Sequence, residues 1–392
     1  MTETSSTPAP SSSSFPFTVD RARSLEGPEW LSALRVEAAE RFAAEGLPST
    51  AAEEWRYSRI DRIQFDGYEP SSTALRSSGG VAVLSGATAG PELWGAAIGD
   101  RSDAFVDLNT AFAPDALLVD VPAGTEVVEP IEIDHLVAAG STSFARVVIR
   151  AGDNSSVTVV ERSGVDDVDA LSVPVTEILV GRDARVRHVG LQQFGPSVVE
   201  VGRVAARVEA GGRVELFHVA LGGGYARTRF DCRLVGRGAS GDISAIYLGD
   251  GDQIHDLRTF QDHEAPDTTS DLAFKGVIDD RAHAVYTGLI RISHDAPRSN
   301  ANQSNRVIKL SADAWAESVP NLEIHHNAVR CSHASSVGPI EPDQRFYLES
   351  RGVEPDVAER LIVAGFLGDL VGSIPVASVA AAAADHISRR LS

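Results

Sequence analysis

The most constraining feature of this sequence is a turn that recurs at a nearly fixed interval through its middle. Each copy contains an apolar pair, a tight turn with Gly or Asp, and a stretch in which apolar and polar residues alternate. The turn glycines, which are separated by 28, 29 and 30 residues, are Gly124, Gly152, Gly181 and Gly211. A fixed period of roughly 20 to 50 residues is typical of stacked repeats. Because no helical pattern lies between the strands, we predict a β-helix or β-solenoid, with a β-sandwich as the alternative.

The chain divides by composition and pattern into five predicted segments. At 392 residues it is long enough for one large domain with extensions. We predict a mainly β fold, with a right-handed β-helix as its core and α-helical segments at both ends. The segments are a disordered Ser/Thr/Pro-rich leader at 1–27, an N-terminal helical segment at 28–65, a linker or loop at 66–99, the β-helix core at 100–340 and a C-terminal helical domain at 341–392.

The C-terminal segment has the pattern of amphipathic helices. From Glu341 onward, apolar residues recur at helical spacing, and Gly352 separates two of the predicted helices. Small helices at the end of a repeat stack can protect its open end. We expect these helices either to cap the solenoid or to present an apolar groove or ridge to a partner.

Composition excludes several classes of partner. The net charge of −20 would repel nucleic acids and anionic membranes. The sequence has no long apolar run that could span a membrane, and its N-terminus lacks the basic and apolar regions of a secretory signal. The two cysteines, Cys232 and Cys331, give no disulfide framework and fit a reducing compartment. We therefore expect a cytoplasmic protein with neither a nucleic-acid nor a membrane partner.

Residues 249–270 interrupt the repeat. This stretch carries His255, His263 and six acidic residues. The acids lack the ordered spacing of a calcium-binding loop, so we predict a solvated polar loop on one face of the solenoid. A structural metal site that combines His255 and His263 with His325 and His326 is an alternative. His325 and His326 are adjacent, however, so on a strand they would face opposite sides.

One stretch near the C-terminus combines strand-like sequence with two chemically active side chains. Residues 320–352 contain Cys331 and His333, which are two positions apart. On a strand they would share one face, and Ser332 would lie on the other. A thiolate beside an imidazole can form part of a soft metal site or a reactive pair. The alternative is a small buried cysteine and an ordinary polar histidine, because two ligands do not complete a metal site.

The sequence around this pair resembles the C-terminal signature of the SufB/SufD family of iron–sulfur cluster assembly scaffolds. The similar segments within residues 320–352 are LEI, VRCSH, SVG and FYLESRG. Other parts of the chain are also similar to that family, so the resemblance extends from about residue 50 to about residue 375. These further segments are EEWRYS at 53–58, FKGVIDDRAHAVYTGLI at 274–290, ANQSNRVIKL at 301–310 and RLIVAGFLGDLV at 360–371.

Within that family, the sequence is more similar to the SufD branch. Ser332 and Ala334 flank His333, whereas SufB carries an acidic residue on each side of the corresponding histidine. Ser304 and Asn305 lie in the neighbourhood where SufB has a cysteine in the preceding coil. Both differences favour SufD and disfavour a SufB-like scaffold paralogue, which remains an alternative.

The resemblance implies a scaffold subunit without enzymatic activity of its own. It implies pairing with a SufB-like scaffold, recruitment of a SufC-like ABC ATPase and a transient iron–sulfur cluster in the complex, with no cofactor tightly bound in the isolated chain. His333 and Cys331 would be cluster ligands at the interface, and another chain would complete the site. Whether the isolated chain forms a homodimer stays open. The helical residues implied to bind the ATPase are Phe346, Tyr347, Arg351, Leu361 and Phe366.

A carbohydrate-active enzyme built on a β-helix is the alternative from another functional class. Such an enzyme needs a cluster of carboxylates, or a base, on adjacent coils of one face. No such cluster is visible in the sequence. No Walker A sequence, G-x-x-x-x-G-K-[ST], occurs either, so an ATPase would have to be a separate protein.

Overall fold

Two β-sheets face each other across a shared interior and form the body of the structure. The computed structural model describes residues 16–65, 67–71, 75–78, 83–85, 90–165 and 167–390. Within these residues the chain passes alternately through one sheet and the other, so that about eight coils stack along one axis. The predicted mainly β solenoid with helices at both ends is confirmed.

Strands and helices are numbered along the chain. The first sheet contains β1 (Glu69–Pro70), β3 (Val83–Ser85), β4 (Leu117–Val121), β6 (Ser141–Ser143), β7 (Arg146–Ala151), β9 (Ala170–Ser172), β10 (Val175–Val180), β12 (Val198–Val208), β14 (Tyr225–Leu234), β16 (Ile254–His263), β18 (His283–Ile292) and β20 (Trp315–Ile324). The second sheet contains β2 (Leu75–Ser78), β5 (Ile131–His135), β8 (Ser156–Val165), β11 (Arg185–Phe194), β13 (Arg213–Ala220), β15 (Ser240–Gly249), β17 (Thr269–Ile278), β19 (Asn300–Lys309) and β21 (Arg330–Gly338). The helices are α1 (Val19–Arg23), α2 (Glu29–Glu45), α3 (Ala104–Phe112), α4 (Pro342–Glu349), α5 (Pro355–Ser373) and α6 (Ala377–Arg390).

Continuous parallel pairing holds neighbouring coils in register. Val180 pairs with Ala151 of the coil before it and with Val208 of the coil after it, which are 29 and 28 residues away. Alternate residues of each strand point inward, so equivalent positions of successive coils form rows along the axis. The apolar rows form the main core, which includes Val119, Ile131, Val147, Ile149, Ile178, Val186, Ala206, Val214, Phe230, Leu257 and Leu272.

The repeating turn connects each first-sheet strand to the following second-sheet strand. Seven of these turns contain a residue with a left-handed backbone, and these residues are Gly124, Asn154, Asp183, Gly211, Gly238, Asp267 and Arg298. Gly152 and Gly181 lie two residues before this position in their turns. A Cβ on Gly181 would come within 2.8 Å of the carbonyl oxygen of Ala151 in the previous coil. The four glycines of the sequence repeat therefore fill two different structural roles.

The N-terminal helices cover the outer face of the first sheet. Apolar residues of α2 and α3 form a second core with Leu118 and Val201 of that sheet. Phe17 and helix α1 belong to the same core, so residues 16–27 are not the disordered leader that the sequence predicted. Residues 1–15 of that leader lie outside the described residues.

Short strands also occur within the stretch 66–99, which the sequence assigned to a linker or loop. β1 pairs with β6, and β2 and β3 pair antiparallel with β5 and β4. These antiparallel strands extend both sheets at the N-terminal end of the stack. The described parts of this stretch are therefore integrated into the solenoid.

Buried arginines attach the segment 53–58 to the first sheet. The guanidinium of Arg227 lies 3.7 Å from the centre of the Trp55 ring and donates to the backbone carbonyl of Glu54 at 3.0 Å. Arg258 donates to the backbone carbonyl of Arg56 at 2.9 Å. Both arginines also bind the carboxylate of Asp256 in β16, so their charges are paired inside the protein.

The C-terminal helices lie on the outer face of the second sheet. Val363 and Leu367 of α5 and Val379 of α6 form a third core with Val189 and Phe217 of that sheet. These helices therefore do not cap the end of the stack, which was one of the two arrangements expected from the sequence. An amphipathic pattern indicates that one helix face is buried, but it does not identify the surface that covers that face.

The predicted polar loop at 249–270 is wrong, because residues 254–263 of this stretch form β16, a strand of the first sheet that is paired on both sides. His255 and His263 are buried inside the protein. The two ring nitrogens of His263 lie 2.8 and 2.9 Å from the hydroxyl oxygens of Thr268 and Ser270. The stretch is polar because the solenoid interior is polar at these positions, and not because the stretch is exposed.

We expect Gly181→Ala to destabilise the fold by roughly 1 to 3 kcal/mol, because the added methyl group must displace the backbone of the previous coil. Gly124→Asn is the matched control. Gly124 has open space around its Cβ position, and Asn154 already occupies the equivalent left-handed position of the next coil. The control should cost less than about 1 kcal/mol, because Asn tolerates this backbone. Equilibrium unfolding in urea measures both variants, and equal losses would contradict the two separate roles.

Candidate functional site

The last coil leaves one end of the solenoid open. In the part of the chain that the structure describes, β20 pairs only with β18 and β21 only with β19, so both sheets end in a free edge. Leu322, Ile324 and Val337 of this coil are 38%, 43% and 41% exposed. Ile290 and Ile292, which pair with Leu322 and Ile324 from the previous coil, are fully buried. An apolar surface between two free strand edges is suited to binding another protein chain.

Cys331 and His333 lie on β21 at this open end. Their partners in β19, Ala301 and Gln303, are buried, so Cys331 and His333 occupy inward-facing rows. Cys331 is half-buried against the apolar cluster of the last coils, whereas His333 is exposed. The hydroxyl of Ser332 donates to a side chain of β19 at 2.7 Å on the opposite face. The structure therefore brings Cys331 and His333 together on one face of the terminal strand.

The chemistry of this pair depends on what covers it. Burial raises the pKa of the Cys331 thiol, so a metal ion or a cationic neighbour would be needed to produce the thiolate at neutral pH. Among the described residues, no group of three or more His, Cys, Asp or Glu side chains is arranged to hold a metal ion. A metal or cluster bound by Cys331 and His333 therefore requires further ligands from another molecule.

A hydrogen-bonded layer of polar side chains lies directly beneath the open end. Gln303 and Asn305 of β19 are buried in this layer. The Gln303 amide donates to the hydroxyl of Tyr286, which lies 2.9 Å from Oγ1 of Thr259. Asn305 accepts a hydrogen bond from the hydroxyl of Tyr247 at 3.2 Å. These residues form a polar floor beneath the open end. In the sequence, nothing marks Gln303 and Asn305 except that they belong to the segment 301–310.

The helical residues predicted to bind an ATPase do not all share one surface. Tyr347, Leu361 and Phe366 line a groove of about 860 Å³ between α4, α5 and the end of the second sheet. Phe346 is outside this groove and is 71% exposed. Arg351 follows α4, and its guanidinium lies 4.7 Å from the centre of the Tyr347 ring. The exposed rings and the groove make the α4–α5 region a second candidate docking surface.

The alternative metal site made of four histidines is wrong. His255 and His263 lie inside the solenoid on β16, whereas His325 and His326 lie in the turn after β20, where His325 is exposed and His326 is half-buried. Nε2 of His325 lies 2.7 Å from the carboxylate of Glu323, and so has a partner of its own. The four histidines do not converge on one position anywhere in the described part of the chain.

A second cluster of titratable side chains surrounds an interior cavity of about 50 Å³ in the earlier coils. Its imidazole and carboxyl side chains are His135, Glu161, His188, Glu200 and His218. Nε2 of His135 and Nε2 of His188 lie 2.5 and 2.6 Å from the two carboxylate oxygens of Glu161. The sequence interpretation missed this cluster. The available signal was that Glu161, His188 and His218 follow one another at 27 and 30 residues, close to the repeat period.

Burial in this cavity changes the acidity of its groups. Burial alone would raise the pKa of Glu161, but hydrogen bonds from His135 and His188 and their charges hold that pKa well below its usual range. Burial lowers the pKa of His218 to about 3, so this imidazole is neutral. Burial raises the pKa of Glu200 to about 7, and its carboxyl has no hydrogen-bond partner among the described residues. The two carboxyl groups of one cavity therefore have opposite protonation preferences.

The fold and its open end define a β-solenoid protein suited to assembly with other chains, and comparison with known proteins identifies its family. Residues 135–366 match the family model described as SUF system FeS cluster assembly, SufBD core domain. The iron–sulfur cluster assembly protein SufD of Bacillus subtilis is 31% identical over 290 residues, which are 72% of this chain and 66% of that protein. A SufBD family protein of Synechocystis is 28% identical over 71% of this chain and 64% of its own length. Protein ABCI7, chloroplastic, of Arabidopsis thaliana is 26% identical over 74% of this chain and 63% of its own length.

The chain belongs to the SufBD family of the SUF system for iron–sulfur cluster assembly, and it is SufD-like. The family resemblance predicted from the sequence is confirmed. The aligned part spans slightly less than two thirds of the length of these three relatives. Among the described residues, no helix is both long enough and apolar enough to cross a membrane.

We expect Glu200 to make the protein less stable as the pH rises. The pKa of Glu200 is about 7 in the folded protein and roughly 4.3 in an unfolded chain. The folded protein therefore has its full stability below pH 4.3 and loses stability as the pH rises through 7. Between these pH values the wild type should lose on the order of 3 kcal/mol of unfolding free energy, and Glu200→Gln should not show this loss. Urea unfolding from pH 4.5 to 8 measures this difference. The exposed Glu129→Gln serves as the control, and identical pH profiles of Glu200→Gln and wild type would contradict the prediction.

Proposed function

We propose that this chain is a non-enzymatic scaffold subunit of a SUF assembly complex, SufD-like in its role. In this proposal its last coil pairs with a SufB-like scaffold, and its C-terminal helices recruit a SufC-like ABC ATPase. A transient iron–sulfur cluster forms where the two scaffolds meet, and the isolated chain holds no cofactor tightly. The observation that carries the proposal is the position of Cys331 and His333 on β21, one of the two strands whose edges are free at the end of the described solenoid.

The open end supports pairing with another solenoid for two physical reasons. The free edges of β20 and β21 present backbone groups that a parallel or antiparallel strand of a second chain can pair with. The exposed apolar side chains of Leu322, Ile324 and Val337 would be buried by such a partner. A β-solenoid is a natural partner because its end matches both sheets and the interior at once.

The ligand set supports cluster formation between chains and not within one chain. Iron–sulfur clusters take thiolate and, less often, imidazole ligands, and four ligands are usual. Cys331 and His333 supply one of each, and the described residues hold no third ligand beside them. A cluster shared by two scaffolds can be released when movement of one chain separates the ligands. The ATPase supplies that movement in this proposal.

The α4–α5 region supports the recruitment of a partner other than the second scaffold. Its helix α5 packs on the outer face of the second sheet, and its groove reaches Ser336, Val337 and Gly338 at the end of β21. Phe346 and Leu361 are exposed apolar residues, and Tyr347 and Phe366 line the adjacent groove. Aromatic residues and an arginine such as Arg351 are typical of the central residues in protein interfaces.

Co-purification from the native cells tests both docking surfaces. A tagged wild-type chain should retain a SufB-like and a SufC-like chain, whereas Leu322→Glu should lose the SufB-like chain because it places a charge in the buried part of the interface. The double variant with Leu322→Glu and Phe346→Glu should also fail to retain the SufC-like ATPase. Val128→Glu, at an 80% exposed apolar position in the first coil, is the control and should retain both partners. Retention of the SufB-like chain by Leu322→Glu would contradict pairing through the last coil, and the elution volume of the isolated chain reports any homodimer.

We expect His333→Ala to leave the complex assembled but to reduce cluster formation, because one ligand of the shared site is removed. Iron and sulfide content, together with the visible absorption of the complex reconstituted without oxygen, should fall at least about tenfold. Ser332→Ala is the matched control, since Ser332 lies next to His333 on the opposite face of β21. An unchanged cluster content in His333→Ala would remove His333 from the ligand set.

A further inference from the structure

Gln303 lies directly beneath His333 in the stack. The two residues are paired in the parallel ladder between β19 and β21, so they occupy the same inward-facing row in successive coils. Gln303 is 2% exposed, whereas His333 is exposed at the open end. Neighbouring strands lie about 4.8 Å apart, which places adjacent side chains of one row within reach of each other.

The amide of Gln303 is held in one orientation from below. Its Nε2 donates to the hydroxyl of Tyr286, which is in turn 2.9 Å from Oγ1 of Thr259. A Cβ at position 288 would lie 2.0 Å from the same Nε2 atom, so the glycine there leaves the space through which the amide reaches Tyr286. Since Nε2 is bound to Tyr286, Oε1 is the end of the amide that remains available.

The side-chain carbonyl oxygen of Gln303, Oε1, is buried and has no hydrogen-bond partner among the described residues. Oε1 makes no hydrogen bond with any of the described residues, and a buried acceptor without a donor costs about 1 to 3 kcal/mol. His333 likewise makes no hydrogen bond within the described part of the chain. The imidazole on the next rung of this row carries an N–H, which is the kind of donor that this oxygen lacks.

Asn305 provides an internal comparison in the same strand. Its Nδ2 donates to Oγ of Ser318 at 3.0 Å, and its Oδ1 accepts from the hydroxyl of Tyr247 at 3.2 Å. Both ends of this amide therefore have a partner, whereas Oε1 of Gln303 has none among the described residues. The unused carbonyl oxygen is a property of Gln303 and not of every amide in the polar floor.

We propose that Gln303 is a positioning residue for His333, whose imidazole N–H donates to Oε1 of Gln303. This inference rests on the proposed function, in which His333 is a cluster ligand. A neutral imidazole has one N–H and one lone pair, so fixing the N–H toward Gln303 leaves the other nitrogen free to bind iron. Histidine ligands of metals commonly have such a hydrogen-bonded support, and losing it typically weakens binding about 10- to 100-fold.

Nuclear magnetic resonance of the isolated full-length chain tests the contact directly. The protein is labelled with ¹⁵N-histidine, and His333→Ala assigns the His333 signal among the 11 histidines. Gln303→Met keeps the length of the side chain but removes the acceptor, so the ¹⁵N shifts should change toward those of an unrestricted tautomer mixture. Gln303→Glu keeps an acceptor oxygen at this position, so it should preserve the His333 tautomer that Gln303→Met loses. Asn305→Ala should leave the His333 signal unchanged.

The outcomes separate this inference from the proposed function. The same ¹⁵N shifts of His333 in wild type and in Gln303→Met would overturn the contact, whatever the complex does. If the contact is present but His333→Ala still assembles clusters, the proposed function fails and the positioning remains. If both hold, the complex with Gln303→Met should keep its partners and lose its cluster about 10- to 100-fold faster than wild type. Circular dichroism verifies that each variant is folded.

Discussion

The pairing of one coil on the next is the interaction on which the rest of this structure depends. Each strand obtains its backbone hydrogen bonds and its buried neighbours from the coils on either side. At the N-terminal end, β2 and β3 pair antiparallel with β5 and β4, so the chain itself extends the sheets there. The last coil has no equivalent strand among the described residues. Its exposed apolar residues and unpaired edges follow directly from that asymmetry.

The polar interior makes this solenoid different from a simple apolar stack. A buried polar group costs free energy unless it is paired, and here many of the pairs connect different strands or sheets. Thr176 of β10 donates to Glu161 of β8, and Asn305 of β19 donates to Ser318 of β20. Such bonds allow polar side chains to be buried close to the open end. They also place amides and hydroxyls beneath His333, where an apolar core would offer it no partner.

The repeat in the sequence predicted the solenoid because its period equals the length of one coil and no helical pattern lies between the strands. It was not enough to separate Gly124, which adopts a left-handed backbone, from Gly181, which lies against the previous coil. Polar composition misled the interpretation of 249–270, since β16 is buried among polar neighbours. The alternation around Cys331 and His333 placed both on one face. Gln303 went unnoticed because its importance depends on the coil above it, which local sequence does not reveal.

The helices that cover the outer faces of the solenoid leave its open end as the surface to which the proposed function assigns the cluster. Helices α2 and α3 pack on the outer face of the first sheet, and α5 and α6 pack on that of the second. The end of the stack consists of only two strands, β20 and β21. One chain can therefore place few metal ligands there. A second solenoid meeting the same cross-section would add its own inward-facing rows in line with these. In the proposed function, the geometry that leaves Cys331 and His333 without further ligands in the described part of the chain is therefore also the geometry that lets another chain provide them.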